Sequence, residues 1–484
     1  MSLLDRLEFQ LLFFSFNKLN YVINNNFFKN VLKMVTYMIP LSFNIMKSSI
    51  KKLLLPYQID HVINLSKKLS NNFICFDCSD TGTGKTYSAI ATAKCLKMKV
   101  FIICPKTIMS AWHEVVSIFG VECLGMSNYE LLIREKYIKI RDSKKCPYIK
   151  RTNDQQIYEW DLPDNTLVIF DEVHRCCNPE SLTGNLLLSL KNVYDKKHPL
   201  LLLTATICDG PHKFKLFSVL LKWCNSCNSV FQWLEKSYNP IKASELIKER
   251  LSVNNMCKIS ISDLGDTFQK NQVTSDYYDI KKSDELMIDN LHEEIKEHLE
   301  QIKHKSFNDK DSNWASVIRA RQKIELIKVQ IFVDLVEQYL DNDFSVVIFV
   351  NYTDTLNLLA KTLKTNCVVY GEQTITQRMK NIDDFVEDKK RIIICNIQCG
   401  GDSISLNDKN GIYKRVALIS PPLSSLKLIQ ACGRINRADS KSASFNKIIF
   451  ANSTIERKLC NKLKSKCSIY SLITDNDLIY DEDL

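Results

Sequence analysis

Apolar residues gather along this chain in short β-branched runs, each closed by loop residues and followed by helical spacing. The alternation occurs twice, over about residues 72–206 and 345–450. Strands alternating with helices build parallel sheets whose faces the helices cover, so the pattern predicts two similar α/β lobes. Between them Met287, Leu291, Ile295, Leu299 and Ile302 recur at spacings of four, four, four and three, which lines one face of an amphipathic helix. A second helical stretch, Trp314 to Leu340, leads into the second lobe. The expected order is an N-terminal extension (1–49), a first lobe (50–222), a mainly helical insertion (223–340), a second lobe (341–465) and a tail (466–484).

The extension is rich in Phe, Leu and Asn, but Lys18, Lys29 and Lys33 cut its apolar runs short of the ~18 residues that a membrane-spanning helix needs. Its longest uncharged run, Met34 to Met46, also carries Pro40 and Asn44. A packed helical extension is expected, with no membrane span. Met46 opens MKSSIKKLLLPYQ and is a second candidate translation start beside Met1.

At 484 residues the chain exceeds one ordinary core. Its 45% apolar and 25% charged residues are a globular balance that excludes wholesale disorder. The formal charge is +10 although the tail is acidic (Asp475, Asp477, Asp481, Glu482, Asp483), so the body is more basic than the total and suits a polyanionic partner. Eighteen cysteines are scattered with no secretory signal, which points to a reducing intracellular compartment, whether cytoplasm, nucleus or virion. The two C-x-x-C pairs, Cys75/Cys78 and Cys224/Cys227, have no companion pair at the spacing of a zinc site.

The first chemistry follows the run Asn72–Cys78. Ser79-Asp80-Thr81-Gly82-Thr83-Gly84-Lys85-Thr86 leads into a helical stretch, the strand–loop–helix context of a P-loop. Gly82 and Gly84 let the backbone curl so that N–H groups from Thr81 to Thr86 face phosphate oxygens; Lys85 is placed to reach the outer phosphates and Thr86 to ligate Mg²⁺. Ser79 stands where the general pattern has Gly. A second strand, Thr166–Phe170, ends in Asp171-Glu172-Val173-His174. Carboxylates at such a strand end suit metal chemistry: Asp171 for Mg²⁺, Glu172 to orient and deprotonate an attacking water, and His174 to couple the site to its neighbours. A third strand, Leu200–Leu203, ends in Thr204-Ala205-Thr206, hydroxyls able to bond the acidic segment.

With these residues in place the chain resembles the superfamily 2 helicases, closest in pattern to the Swi/Snf-type DNA translocases and similar to helicases of large DNA viruses, over Leu54 to Ile473. Leu54–Gln58 is similar to the segment that precedes the P-loop in Swi/Snf proteins, with Leu55 in place of the usual Arg; the resemblance implies that Gln58 contacts adenine. Val100–Trp112 resembles motif Ia, which implies Lys106 as a nucleic-acid backbone contact, and Met126–Glu130 resembles the backbone-contact motif that follows. In the second lobe Ser345–Asn351 resembles motif IV. Arg391–Asn407 resembles motif V, with Gly400 and Gly401 allowing close approach to a phosphate. Ile419–Arg437 resembles motif VI, with Asn436 where relatives often have His. Gln430, Arg434 and Arg437 are spaced by four and three, so one helical face is expected to carry them. The resemblance implies that both arginines act as fingers on the γ-phosphate, with Gln430 among the nucleotide contacts.

The implied fold is α/β, two tandem RecA-like lobes with a helical insertion between them. The implied activity is ATP- and Mg²⁺-dependent movement on nucleic acid, DNA before RNA, gripped through phosphates and therefore salt-sensitive. Two alternatives stand beside it: an RNA helicase, and a non-motor module that uses the nucleotide only as a switch. Retention of Lys85, Glu172, Arg434 and Arg437 argues for turnover.

Overall fold

A computed structural model of the chain describes residues 46–139, 142–152, 158–205, 214–227, 240–261, 264, 268–304, 310–400, 404–422, 425–458 and 460. By its contacts the chain divides into residues 1–49 and 50–484, and the second unit carries everything below. Most of the expected extension and the whole of the expected tail lie outside the described residues, as do Thr206 and Gly401.

The first lobe runs α1 (Pro56–Asn72), β1 (Ile74–Asp77), α2 (Lys85–Cys95), β2 (Lys99–Ile103), α3 (Met109–Phe119), β3 (Cys123–Ser127), β4 (Lys136–Lys139), β5 (Asp142–Lys145), β6 (Ile149–Arg151), β7 (Tyr158–Trp160), β8 (Thr166–Asp171) and β9 (Leu200–Leu203). Pro56 opens α1, where its missing N–H costs nothing. The main sheet has the order β10-β1-β9-β8-β2-β3-β4-β5, with β10 contributed by Met256–Cys257 after helix α4 (Pro240–Asn254). Strands β10 through β3 in that order are parallel, and β4 and β5 turn antiparallel at one edge. β1, β8 and β9 are buried along their whole length. Their near-continuous apolar runs are what a strand covered on both faces requires.

The second lobe runs β11 (Asn271–Tyr278), α5 (Lys282–His304), α6 (Lys310–Ile327), α7 (Val329–Asp341), β12 (Phe344–Val350), α8 (Thr353–Thr362), β13 (Val368–Val369), α9 (Ile375–Val386), β14 (Ile392–Asn396), β15 (Lys414–Ile419), α10 (Ser425–Cys432) and β16 (Ser444–Ala451). Its sheet has the order β11-β16-β15-β12-β14-β13, parallel throughout. β12 feeds two cores, Val347 and Phe349 on one face, Val346, Ile348 and Val350 on the other.

The interval read as a mainly helical insertion needs a correction. It also supplies β10 to the first sheet and β11 to the second, so part of it belongs to each lobe. In α5 the buried face is Ile288, Leu291 and Ile295, packed on Val317, Ala320 and Ile324 of α6. Met287, placed on that face by the spacing, is 48% exposed, because a face repeating every 3.6 residues passes through Ile288 once Leu291 and Ile295 are fixed. At the junction of α6 and α7, Lys328 Nζ pairs with Glu456 Oε1 at 2.8 Å, both buried, and Ala451 N donates to Glu456 Oε2 at 2.7 Å. Among the described residues no helix is long and apolar enough to cross a membrane.

Candidate nucleotide site

Parallel pairing brings the chemistry to one edge of the first sheet. Asp77 at the end of β1 and Asp171 at the end of β8 both lie opposite Leu203 of β9. The loops that leave these three strands therefore start level, side by side, where open α/β sheets hold ligands.

The loop after β1 is fastened from several sides. Gln58 Nε2 on α1 donates to Thr83 O at 2.9 Å, while Gln58 Oε1 accepts from Leu55 N at 2.9 Å. Thr83 Oγ1 donates to Asp80 O at 2.8 Å, and Lys85 Nζ is folded inward onto Ser79 O at 2.7 Å. From the segment after β10, Ile259 N donates to Ser79 Oγ at 2.9 Å and Ile261 N to Asp80 Oδ2 at 2.9 Å. Beneath the loop, Ser79 Oγ donates to the buried Asp77, whose other oxygen lies 3.1 Å from His61 Nε2. Burial opposes both charges, yet each supports the other: the carboxylate holds His61 above its ordinary pKa, and the imidazole, with the Ser79 hydroxyl, holds Asp77 below its own. His61 and Asp77 escape sequence reading. The only sign was an Asp inside an otherwise apolar strand. The hydroxyl of Ser79, the departure from the usual Gly, is what joins this pair to the loop.

After β8, Asp171 Oδ2 accepts from Trp112 Nε1 and Oδ1 from Glu172 N, both at 2.9 Å, while Tyr129 OH donates to Asp171 O at 2.6 Å. Burial, and then the neighbouring Glu172, push the Asp171 carboxyl up to about 7; a cation beside it reverses that balance. Glu172 adopts the left-handed conformation (φ 56°, ψ 48°), a turn that costs a non-glycine residue about 1–2 kcal/mol. Glu172 Oε2 lies 3.3 Å from His174 Nδ1, which lies 3.1 Å from Thr204 Oγ1 at the end of β9. The acidic segment is thus tied to the third strand through His174.

The second lobe meets this edge with the chain after α10. The helix ends at Cys432, so the expectation of one helical face carrying Gln430, Arg434 and Arg437 is corrected: Gln430 is buried in α10, and the two arginines lie beyond it. The reason is local. Leu406 N donates to Arg434 O at 2.8 Å, which draws the chain onto residues 404–406, and Arg437 N donates to Ser440 Oγ at 2.9 Å. Arg437 donates to Ser405 Oγ and to Ile404 O, each at 3.1 Å, and its Nη1 is buried with no hydrogen-bond partner among the described residues. Arg434, 2% exposed, reaches Ile404 O at 3.5 Å. Burial and the adjacent Arg434 push Arg437 down to about 9, against the pull of Asp439 and Glu172. Asn436 Nδ2 donates to Gln269 O at 3.2 Å.

Anionic phosphate suits these residues. Gly82 and Gly84 have φ of +93° and +83°; a Cβ on Gly84 would lie 2.3 Å from Gln58 Nε2, and one on Gly82 would lie 3.1 Å from Arg437 Cδ. Bare backbone is therefore what lets Gln58 and Arg437 come directly against the loop. Gly84 begins α2 without a side-chain cap, leaving helix N–H groups for a phosphate, and a buried guanidinium with an idle N–H faces the same place. Thr86, the second residue of α2, and Thr81, against Gly433, border it. Lys106 is exposed in the turn after β2, and Gly400 ends a short helix (Ile397–Gly400) after β14. Neither is part of this cluster.

Comparison with known proteins agrees in kind. The family described as Type III restriction enzyme, res subunit matches residues 51–209, and that described as Helicase conserved C-terminal domain matches residues 327–439. The chain is 35% identical over 454 residues to the "Putative ATP-dependent RNA helicase L364" of Acanthamoeba polyphaga mimivirus, covering 88% of this chain and 84% of that protein. It is 28% identical over 141 residues to "DNA repair and recombination protein RAD54" of Saccharomyces cerevisiae, covering 28% of this chain and 15% of that protein. Among solved structures, a Sulfolobus solfataricus SWI2/SNF2 ATPase core in complex with dsDNA matches at a TM-score of 0.36 and 16% identity, covering 88% of this chain and 94% of that one. The S. cerevisiae protein Dbp5 bound to RNA and ADP BeF3 matches at 0.45 and 14%, covering 84% and 91%.

Proposed function

The chain belongs to the superfamily 2 helicases of the Swi/Snf-like type, and on that premise we propose that it moves along duplex DNA by closing and opening the cleft between its lobes on each ATP hydrolysed. It is an ATP-dependent nucleic-acid helicase or translocase; duplex DNA as the track, Mg²⁺ as the metal and the role of each residue are our reading. The observation that carries it is the contact of Arg437 with the Gly82 loop, at the sheet edge that also presents Asp171 and Glu172.

Bound Mg-ATP supplies the phosphoanhydride whose cleavage drives the cycle. Lys85 exchanges its carbonyl partners for phosphate oxygens, and the curled backbone from Thr81 to Thr86 offers N–H groups to the same anion. Thr86 and Asp171 would hold the cation. Glu172 orients water and receives its proton at the carboxylate, held in place by His174. Arg437 and Arg434, already desolvated, offer charge where it develops in the transition state. Because Arg437 also grips Ser405 and Ile404, any shift of its guanidinium is passed to the chain that follows β14.

The resemblance to Swi/Snf motors and the RAD54 relative's name favour DNA. The mimivirus relative is named an RNA helicase, which is the second reading. The test is ATP turnover by the full chain, alone and with duplex DNA, single-stranded DNA or RNA, with Lys85→Ala and Arg434→Ala as controls. Stimulation by duplex DNA that both substitutions abolish is expected. Stimulation by RNA alone moves the protein to the second reading, and no stimulation by any polymer removes the motor.

A further inference from the structure

The nucleotide site leaves the most basic stretch of the chain without a task. From Arg134 to Arg151 eight basic residues stand against two acidic ones, a net six of the chain's formal +10. The stretch is a built element: β4 pairs antiparallel with β3 and β5 with β4, extending the first sheet at its edge. Tyr137 of β4 packs over Gly125 of β3, where a Cβ would come 2.3 Å from the ring. Beneath the ribbon the rings of Phe101, Tyr137, Tyr148 and Trp160 pack mainly edge to face at centroid distances of 5.8–6.5 Å.

On this base Lys136 lies directly opposite Lys145, so the two side chains share one face of the ribbon, while Lys144 lies opposite Tyr137 on the other; all three are exposed. Like charges directly opposite destabilise a ladder. Lysine on an edge strand guards against pairing with other chains, but that accounts for β5 only, since Lys136 sits one strand inside. Among the described residues no ion pair engages these three lysines. A cross-strand pair that costs stability and has no local partner is explained by a polyanion laid across both strands.

The direction of β4 says where. Because β4 is antiparallel to β3, its first residue lies beside the C-terminal end of β3, and Ser127 Oγ donates to Lys136 O at 2.7 Å. That is the edge from which the turn after β2 presents Lys106. β5 lies three strand spacings beyond β2, about 14 Å. We propose that this basic ribbon is a second grip on the nucleic-acid phosphate backbone, carrying the contact from the Lys106 turn outward across Lys136 and Lys145. It rests on the nucleic-acid motor reading above. Its aromatic rings are used in packing and its cations are aliphatic, so it holds phosphodiester charge without reading sequence.

The test is the affinity of the full chain for a DNA duplex and for an RNA duplex of the same sequence, by fluorescence anisotropy across a salt series from about 50 to about 200 mM. The Lys136→Ser/Lys145→Ser variant should bind more weakly, with the slope of log affinity against log salt reduced by about 1 per lysine, at a melting temperature no lower than that of wild type. The matching Lys136→Arg/Lys145→Arg variant should restore the slope. Reduction on one duplex alone supports the proposal and names the polymer. An unchanged slope on both, with wild type binding normally, overturns it and leaves the lysines as edge protection. Wild-type protein that binds neither duplex overturns the motor reading, and this proposal with it.

Discussion

At Gly84 one methyl group would meet Gln58 Nε2 at 2.3 Å in a backbone with φ of +83°. The side chain of Gln58 can swing away, but only by giving up its bond to Thr83 O. Gly84→Ala is therefore expected to cost about 1–2 kcal/mol for the left-handed backbone and about 1 kcal/mol for the hydrogen bond, read as a lower melting temperature and weaker binding of a fluorescent ATP analogue. In a Gln58→Ala background the hydrogen-bond part should vanish and the backbone part remain. Equal costs in both backgrounds would show that Gln58 does not hold the loop. The places of Lys85, Thr86 and Asp171, at the start of α2 and the end of β8, were legible in the sequence because apolar strand, glycine-containing loop and helix follow in a fixed local order. Trp112, which holds Asp171, and His61, which holds Asp77, were not, since their partners are far away in the chain and meet only through the sheet. The geometry of Arg434 and Arg437 was misread for a related reason: spacing alone extends a helix that tertiary contacts to residues 404–406 have ended.

Elements that are buried on both faces announced themselves as apolar runs, and the central strands of both sheets were legible for that reason. β10 and β11 were not: one is two residues long, and the other, NQVTSDYY, lies at an edge with five of its eight residues polar and only Ser275 buried. The joint of α6, α7 and the turn after β16 is polar at its centre. Glu456 is held down to about 2, burial opposing its charge and Lys328 and His292 outweighing that opposition. A carboxyl lowered in the folded state lends stability above its unfolded value, near 4.5 for Glu, and that stability is lost as pH falls toward about 2. Glu456→Gln should flatten the melting curve across that window, and a wild-type curve already flat there would refute the pairing. Lys328→Met alone leaves a buried carboxylate without its cation and should cost about 3–5 kcal/mol, whereas Lys328→Met with Glu456→Leu should recover much of the loss.

Across the whole molecule the Gly82 loop is touched by both lobes, by the segment after β10 through Ile259 and by the chain after α10 through Arg437. A motor needs such a place, where the state of one small anion is felt on both sides. Arg437→Ala is expected to keep binding of the ATP analogue within a few-fold while polymer-stimulated kcat falls by about 10³; a rise in KM with kcat intact would make Arg437 a binding residue only. The pairing of β11 has a further consequence, for how the protein is made. All eight of its residues pair with β16, Asn271 with Ser444 through Tyr278 with Ala451. At about 5–20 residues per second the partner leaves the ribosome roughly 9–35 s after β11 does. During that interval the first lobe already has every strand of its sheet, while the second waits with an open strand edge that another nascent chain could occupy.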